Sequence, residues 1–301
     1  MRYGLMADPH GTMDEMVATV ADAERRGFDS VWLSQIFGLD ALTAIAVAGR
    51  EVPRIEIGTA VVPTYPRHPM VLAGQALTVQ SATGNRLALG IGLSHQIVIE
   101  GMWGYSFDKP ARHMREYLSA LVPLLRGEAI GYEGETLKAM GQIGVTGTTP
   151  PPLLLAALAP VMLQLAGGVA DGTVTWMTGP DTLGNHIVPK ITAAAEKAGK
   201  PAPRVGVGLP VCLTSDPDAA KEMAAQVFSI YGQLPSYRAM LDKEGAAGPA
   251  DVAIVGDEAA LEAGIKSVES AGATDFVGAV FGAPDERERT IEFLAARVAS
   301  A

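Results

Sequence analysis

Short apolar, β-branched runs bounded by turn residues alternate along this chain with longer stretches whose apolar positions recur at helical spacing. The short runs predict strands at Arg2–Ala7, Phe28–Gln35, Ile55–Val62, Arg86–Leu93, Leu153–Leu158, Thr173–Gly179, Arg204–Thr214 and Thr274–Val280. The longer ones predict helices at Met13–Arg26, Asp40–Gly49, Met70–Gln80 and Ala111–Arg126, one starting at Pro160, and others at Pro180–Ala198, Pro217–Tyr231, Asp257–Ser270 and Pro284–Ser300. Thr12 with Glu15 three residues on reads as a capping box, and Gly27 as the glycine that closes the first helix. Strands buried on both faces, alternating with helices over this length, point to an α/β fold: a (β/α)8 TIM barrel forming one domain over residues 1–301.

Three segments interrupt the alternation. Residues 96–110 lack an amphipathic repeat and hold Trp103, Tyr105 and Phe107, in the manner of an active-site lid. Residues 128–147 have the short runs and Glu133-Gly134 turn of a β-hairpin, and 232–251 form a mixed insertion. All three are expected mostly around the C-terminal mouth of the barrel, where catalytic loops gather.

Composition narrows the function classes. A formal net charge of −10 argues against nucleic acid or an anionic membrane as the main partner, without excluding an anionic small ligand. The only cysteine, Cys212, lies in an apolar run and reads as a buried, inert thiol. The N-terminal apolar run is too short for a signal peptide and no stretch is long enough to span a membrane, so a soluble cytoplasmic protein is expected. The histidines show no metal-ligand spacing, so no metal site is expected.

The runs GFDSVWLSQ, IEIGTAVVPTYPRHP, LALGIGLSH and LLLAALAPVMLQLAGGVADGTVTWMTGP occur in this order over nearly the whole chain. Together they resemble the luciferase-like monooxygenase family, in particular its coenzyme F420-dependent oxidoreductase branch. The resemblance implies a flavin or deazaflavin, FMN or coenzyme F420, at the C-terminal mouth. It also implies a non-prolyl cis peptide at Ala60-Val61, a small-residue strand end at Gly92, Leu93, Ser94 and His95 against the ring, and a phosphate-binding junction at Ala156, Ala157, Leu158 and Ala159. Met177 is a further expected contact, with Thr178 beside it. Each position has an ordinary structural alternative: a buried strand end, a tight turn or a helix cap. Gly90-Ile91-Gly92 lacks the third glycine of a dinucleotide fingerprint, so the glycines are read as clearance for the ring.

Asp8, His10, Gln35, Asp40, His68, His95 and Glu100 are the acid–base candidates. Asp8, Gln35 and Asp40 are taken as catalytic because they follow the first two strands. Arg67, Lys109, Arg112 and Arg115 form a candidate basic patch for the cofactor's γ-glutamyl tail. Sugar-phosphate dehydrogenases of the branch carry a histidine and a glutamate where this chain has Ile36 and Leu93. The expected activity is therefore hydride transfer between coenzyme F420 and an organic small molecule, as a reductase. The alternatives are an FMN-dependent monooxygenase and a non-catalytic deazaflavin-binding protein; a lyase or epimerase ranks last. A homodimer through the helices at 40–49 and 70–80 is the family expectation.

Overall fold

A computed structural model of the chain describes residues 1–298. Strand β1 (Arg2–Ala7) leads to α1 (Met13–Arg25), then β2 (Ser30–Leu33) and α2 (Ala41–Glu51). The capping box is formed: Glu15 N–H donates to Thr12 Oγ1 at 3.2 Å, and Thr12 N–H to Glu15 Oε2 at 2.7 Å. Gly27, at φ +90°, turns the chain out of α1.

The third predicted strand is not continuous. It runs as β3 (Glu56–Thr59), is broken by a cis peptide at Ala60-Val61, and resumes as β4 (Val62–Pro63). Helix α3 (Pro69–Thr83) and β5 (Leu87–Gly92) follow, then α4 (Gln96–Ile99) inside the predicted lid and α5 (Pro110–Leu125). Strands β6 (Ile130–Glu133) and β7 (Lys138–Gly141) pair antiparallel as the predicted hairpin. Then come β8 (Leu153–Leu155), α6 (Pro160–Gly168), β9 (Gly172–Trp176) and α7 (Pro180–Thr182). A π-helical turn over Leu183–Ile187 joins α7 to α8 (Val188–Lys197). The chain ends through β10 (Arg204–Leu213), α9 (Pro217–Val227), α10 (Pro235–Glu244), β11 (Ile254–Gly256), α11 (Glu258–Ser270), β12 (Asp275–Val280) and α12 (Pro284–Val298).

The parallel strands close on themselves in the order β1-β2-β3-β5-β8-β9-β10-β12, with β12 pairing back to β1. This is the (β/α)8 barrel expected. Val211 of β10 pairs with both Val280 of β12 and Ile254 of β11, so β11 occupies the side of β10 that β9 leaves free after Gly208.

Alternation along the strands turns one set of side chains inward. At the N-terminal end these are charged. Arg204, from the start of β10, donates to both Asp275 oxygens at 3.1 and 3.0 Å through Nε and to Glu56 Oε1 at 2.6 Å through Nη2. Arg2 adds a pair to Glu56 at 3.1 Å. Above this plug lies Trp32, fully buried, its Nε1 donating to Ser30 Oγ at 2.8 Å and its ring centroid 5.3 Å from the Arg204 guanidinium carbon. Gly58 makes room for it: a Cβ there would stand 2.3 Å from Trp32 Cε3. Higher still, Ala88, Leu154, Val174 and Val277 pack with Met6, Ala60 and Val61 to form the floor of the C-terminal mouth.

The hairpin departs from expectation. Its tip is held by Glu116 of α5, which accepts from Glu135 N–H at 3.1 Å and Thr136 N–H at 2.7 Å. Its base meets Gly127 just beyond α5, where Gln142 Nε2 donates to Gly127 O at 2.6 Å. It therefore lies along the flank of α5, and only its tip reaches the level of the mouth. Cys212 is fully buried, and burial pushes its thiol up to about 11. Among the described residues no helix is long and apolar enough to cross a membrane.

Candidate active site

The site is built where the barrel strands end. Ala60 N–H donates to Leu33 O at 2.9 Å, and Ser34 Oγ donates to Ala60 O at 2.9 Å, so the turn after β3 is fixed by β2. Thr59 Oγ1 bridges to β5, donating to Gly90 O at 2.7 Å and accepting from Gly90 N–H at 2.9 Å. A Cβ on Gly90 would lie 1.9 Å from Thr59 O, and one on Gly92 would lie 2.7 Å from Val61 Cγ2 and 3.1 Å from Ala156 Cβ. These glycines are required by the chain's own bulge and neighbouring strand.

Two non-glycine residues just past strand ends hold left-handed backbone: Ser94 at φ 61° and Met177 at φ 53°. That conformation is uncommon for side-chain-bearing residues and costs about 1–3 kcal/mol, which surrounding structure must enforce. Met177 is fully buried, its N–H donating to Gly208 O at 3.2 Å; Ser94 and His95 are half-buried at the mouth. Burial lowers the pKa of His95.

After β8 the chain passes through half-buried Ala156, buried Ala157, half-buried Leu158 and exposed Ala159 into α6. Ala159 is the N-cap and offers no side-chain cap, and Pro160 occupies the first turn. The N–H groups of Val161 and Met162 therefore have no intrahelical acceptor. The approach is held by His186, whose Nε2 bonds Leu158 O at 2.8 Å.

Trp176 was not singled out by its sequence context, since an aromatic at a strand end is usually core. It lies on the same face of β9 as Val174, two residues away, and thus stands inside the mouth. Rings continue from it: Tyr231 at 5.7 Å, then Tyr237 at 5.3 Å from Tyr231, then His95 at 5.4 Å from Tyr237. The predicted insertion at 232–251, through α10, is thereby tied to the end of β5.

The three catalytic candidates are placed differently. Asp40 is the N-cap of α2, accepting from Thr43 N–H at 3.0 Å, and it pairs with Arg67. Gln35 Oε1 accepts from Ala41 N–H at 2.8 Å. Both serve the start of α2. Asp8 is exposed and uses one oxygen to accept from His10 N–H at 2.9 Å. Three of the four cations of the candidate basic patch are ion-paired: Arg67 with Asp40, and Lys109 and Arg112 both with Glu135.

Under the lid, Tyr65 stacks on His113 with centroids 4.0 Å apart and faces Phe107 at 5.4 Å. His113 Nε2 bonds Thr64 Oγ1 at 3.0 Å, and burial pulls this imidazole down to about 4. Burial, with Asp108 and Glu100 nearby, pushes the Tyr65 phenol up to about 12.

The model of the luciferase-like monooxygenase family matches residues 1–297. The chain belongs to that family. Within it, the 5,10-methylenetetrahydromethanopterin reductase of Methanolobus tindarius is 29% identical over 247 residues, spanning 81% of this chain and 75% of that enzyme. The coenzyme F420-dependent tetrahydromethanopterin reductase of Methanopyrus kandleri shares the fold with a TM-score of 0.83 at 21% identity, covering 99% of this chain and 98% of the other. So does the oxygenating constituent of 3,6-diketocamphane monooxygenase from Pseudomonas putida, in complex with FMN, with a TM-score of 0.79 at 18% identity over 100% and 98% of the two chains.

Proposed function

We propose that the protein is an oxidoreductase that uses coenzyme F420 and acts as a reductase on an organic small molecule. The observation that carries this reading is the mouth itself. An apolar floor that includes Ala60, Val61 and Ala88 lies beside an uncapped helix N-terminus reached through Ala156, with left-handed Ser94 and Met177 at neighbouring strand ends. This donor set suits a planar ring carrying a phosphate: the α6 N–H groups favour an anion, and no acidic side chain caps them. The similarity to a putative coenzyme F420-dependent oxidoreductase of Mycobacterium tuberculosis, 31% identical over 205 residues, supports coenzyme F420 as that group.

Ala60, Val61, Gly92, Leu93, Ser94 and His95 would hold the ring, and Ala156, Ala157, Leu158 and Ala159 the phosphate, with Met177 bracing the wall. Bound there, the reduced cofactor supplies a hydride. The protein's part is to orient and to exclude water. Ser34 fixes the Ala60 carbonyl, His95 and Tyr237 wall one side, and residues 96–109 stand at the rim after β5. Of the catalytic candidates, Asp8 keeps one carboxylate oxygen without a partner among the described residues, and it is the group we assign to proton transfer. Gln35 and Asp40 would act by shaping the loop after β2.

The test is separate titration with coenzyme F420 and FMN, followed by fluorescence. Saturable binding of coenzyme F420 is expected; tight FMN binding with none of coenzyme F420 would overturn the reading. That outcome would favour an FMN-dependent monooxygenase, the second reading, which the shared fold with an FMN-containing monooxygenase keeps open. Oxygen consumption with reduced FMN would then be measured. We also propose a homodimer through α2 and α3, which leave Val47 and Val71 exposed on their outer faces. Light scattering on the eluting protein checks it.

A further inference from the structure

We infer that the substrate taken at this mouth is an uncharged, largely apolar molecule with a ring system or chain long enough to reach the rim. The inference rests on the proposed site and names the chemistry its outer half would accept. Exposed large apolar residues scattered singly over a surface carry no message. Here they gather on loops that follow barrel strands at one end. Ile36 and Phe37, 39% and 60% exposed, follow β2; Ile97, Met102 and Tyr105, 70%, 59% and 48% exposed, follow β5; Ile230, 54% exposed, belongs to the insertion after β10. Below them runs the aromatic wall from Trp176 through Tyr231 and Tyr237 to His95.

Several charges on the loops around the mouth are engaged with one another. Arg67 pairs with Asp40, and Lys109 and Arg112 with Glu135. Arg238 pairs with Asp242 at 2.8 Å and also donates to the carbonyls of Ala246 and Ala247. Glu100 accepts from Gln96 Nε2 at 2.8 Å and Phe107 N–H at 3.1 Å. A carboxylated or phosphorylated substrate would compete with these pairings for a counterion, and a neutral apolar one would not. The apolar exposure of the rim thus selects a neutral class.

The test uses two matched probes, 2-acetylnaphthalene and 6-acetyl-2-naphthoic acid, each titrated into the full-length protein while tryptophan fluorescence is followed, with and without coenzyme F420. The neutral ketone is expected to bind at least about tenfold more tightly than the acid. Phe37→Ser and Ile97→Ser should each weaken it about fivefold, with unchanged thermal midpoints and unchanged binding of coenzyme F420. Val71→Ser, on the outer helix, should leave probe binding as it was. Equal or tighter binding of the acid, or no effect of either rim variant, would overturn the inference. So would Phe37-dependent co-sedimentation with phosphatidylcholine vesicles in the absence of saturable probe binding, since the rim would then be a lipid-docking surface. Failure of the cofactor reading alone would appear separately, as loss of coenzyme F420 binding with the probe preference intact.

Discussion

The two ends of the barrel use opposite chemistry on the same strands. At the N-terminal end, Arg204, Glu56, Asp275 and Arg2 meet inside the barrel as a connected ion network. Asp275 is almost fully buried there, and although burial alone would lower the Arg204 pKa, its bonds to Asp275 and Glu56 raise it. At the C-terminal end the inward positions are aliphatic or aromatic, and several charges on the surrounding loops are paired with one another. The difference teaches how stability and binding are divided. One end is closed by groups that satisfy each other, and the other leaves N–H groups and left-handed backbone for a ligand to complete.

The comparison breaks first at the plug. Arg204→Met leaves Glu56 and Asp275 with Arg2 as the one cation they share among the described residues, and should cost about 3–5 kcal/mol of folding stability, read by chemical denaturation. Coenzyme F420 binding by the folded fraction should be nearly unchanged; a neutral effect on stability would mean that the network does not close the barrel. Next is Gly90→Ala, at the other end. Its Cβ would meet Thr59 O, so about 1–3 kcal/mol of overpacking cost is expected. Here binding should fall along with stability, because the turn that supports Ala60 has to move.

Ala159→Asp separates the two properties. A carboxylate at the N-cap of α6 should stabilise the helix by about 1 kcal/mol. The same charge should repel a cofactor phosphate and weaken coenzyme F420 binding by about tenfold or more; parallel gains in Tm and affinity would exclude a phosphate at this junction. The smallest effect concerns His113. Its folded pKa, about 4, lies below the ordinary 6.5, so the unfolded chain binds the proton more readily. Its contribution is complete above pH 6.5 and is lost as pH falls towards 4. His113→Gln should flatten that acid limb by about 1 kcal/mol, since partial exposure screens the full shift. An unchanged limb would place the acid sensitivity elsewhere.

Much of the barrel was legible because each strand is a short apolar run between turn residues, a pattern fixed by burial on both faces. The capping box at Thr12 is local chemistry and was equally readable. What hid were relations between residues distant in the chain. The pairings of Arg67 with Asp40 and of Lys109 and Arg112 with Glu135 draw most of a basic patch into ion pairs, and nothing nearby in the sequence announces them. Gly90 and Gly92 were visible as glycines, but their reason, the close approach of Thr59, Val61 and Ala156, exists only once β3, β5 and β8 are side by side. Trp176 carries no mark in the sequence beyond being an aromatic at a strand end, and only the closed barrel shows that the face it shares with Val174 ends in an opening. The break at Ala60-Val61 was anticipated from the family resemblance alone, since Ile55–Val62 reads as one unbroken strand.

Cys212 has a practical consequence. The only thiol in the chain is fully buried, and its raised pKa keeps it protonated near neutral pH. A maleimide dye added to Ile97→Cys would therefore attach at one place, on the exposed first turn of the 96–109 segment. Its emission anisotropy would report directly whether that segment stiffens when a ligand enters, with no second label to subtract.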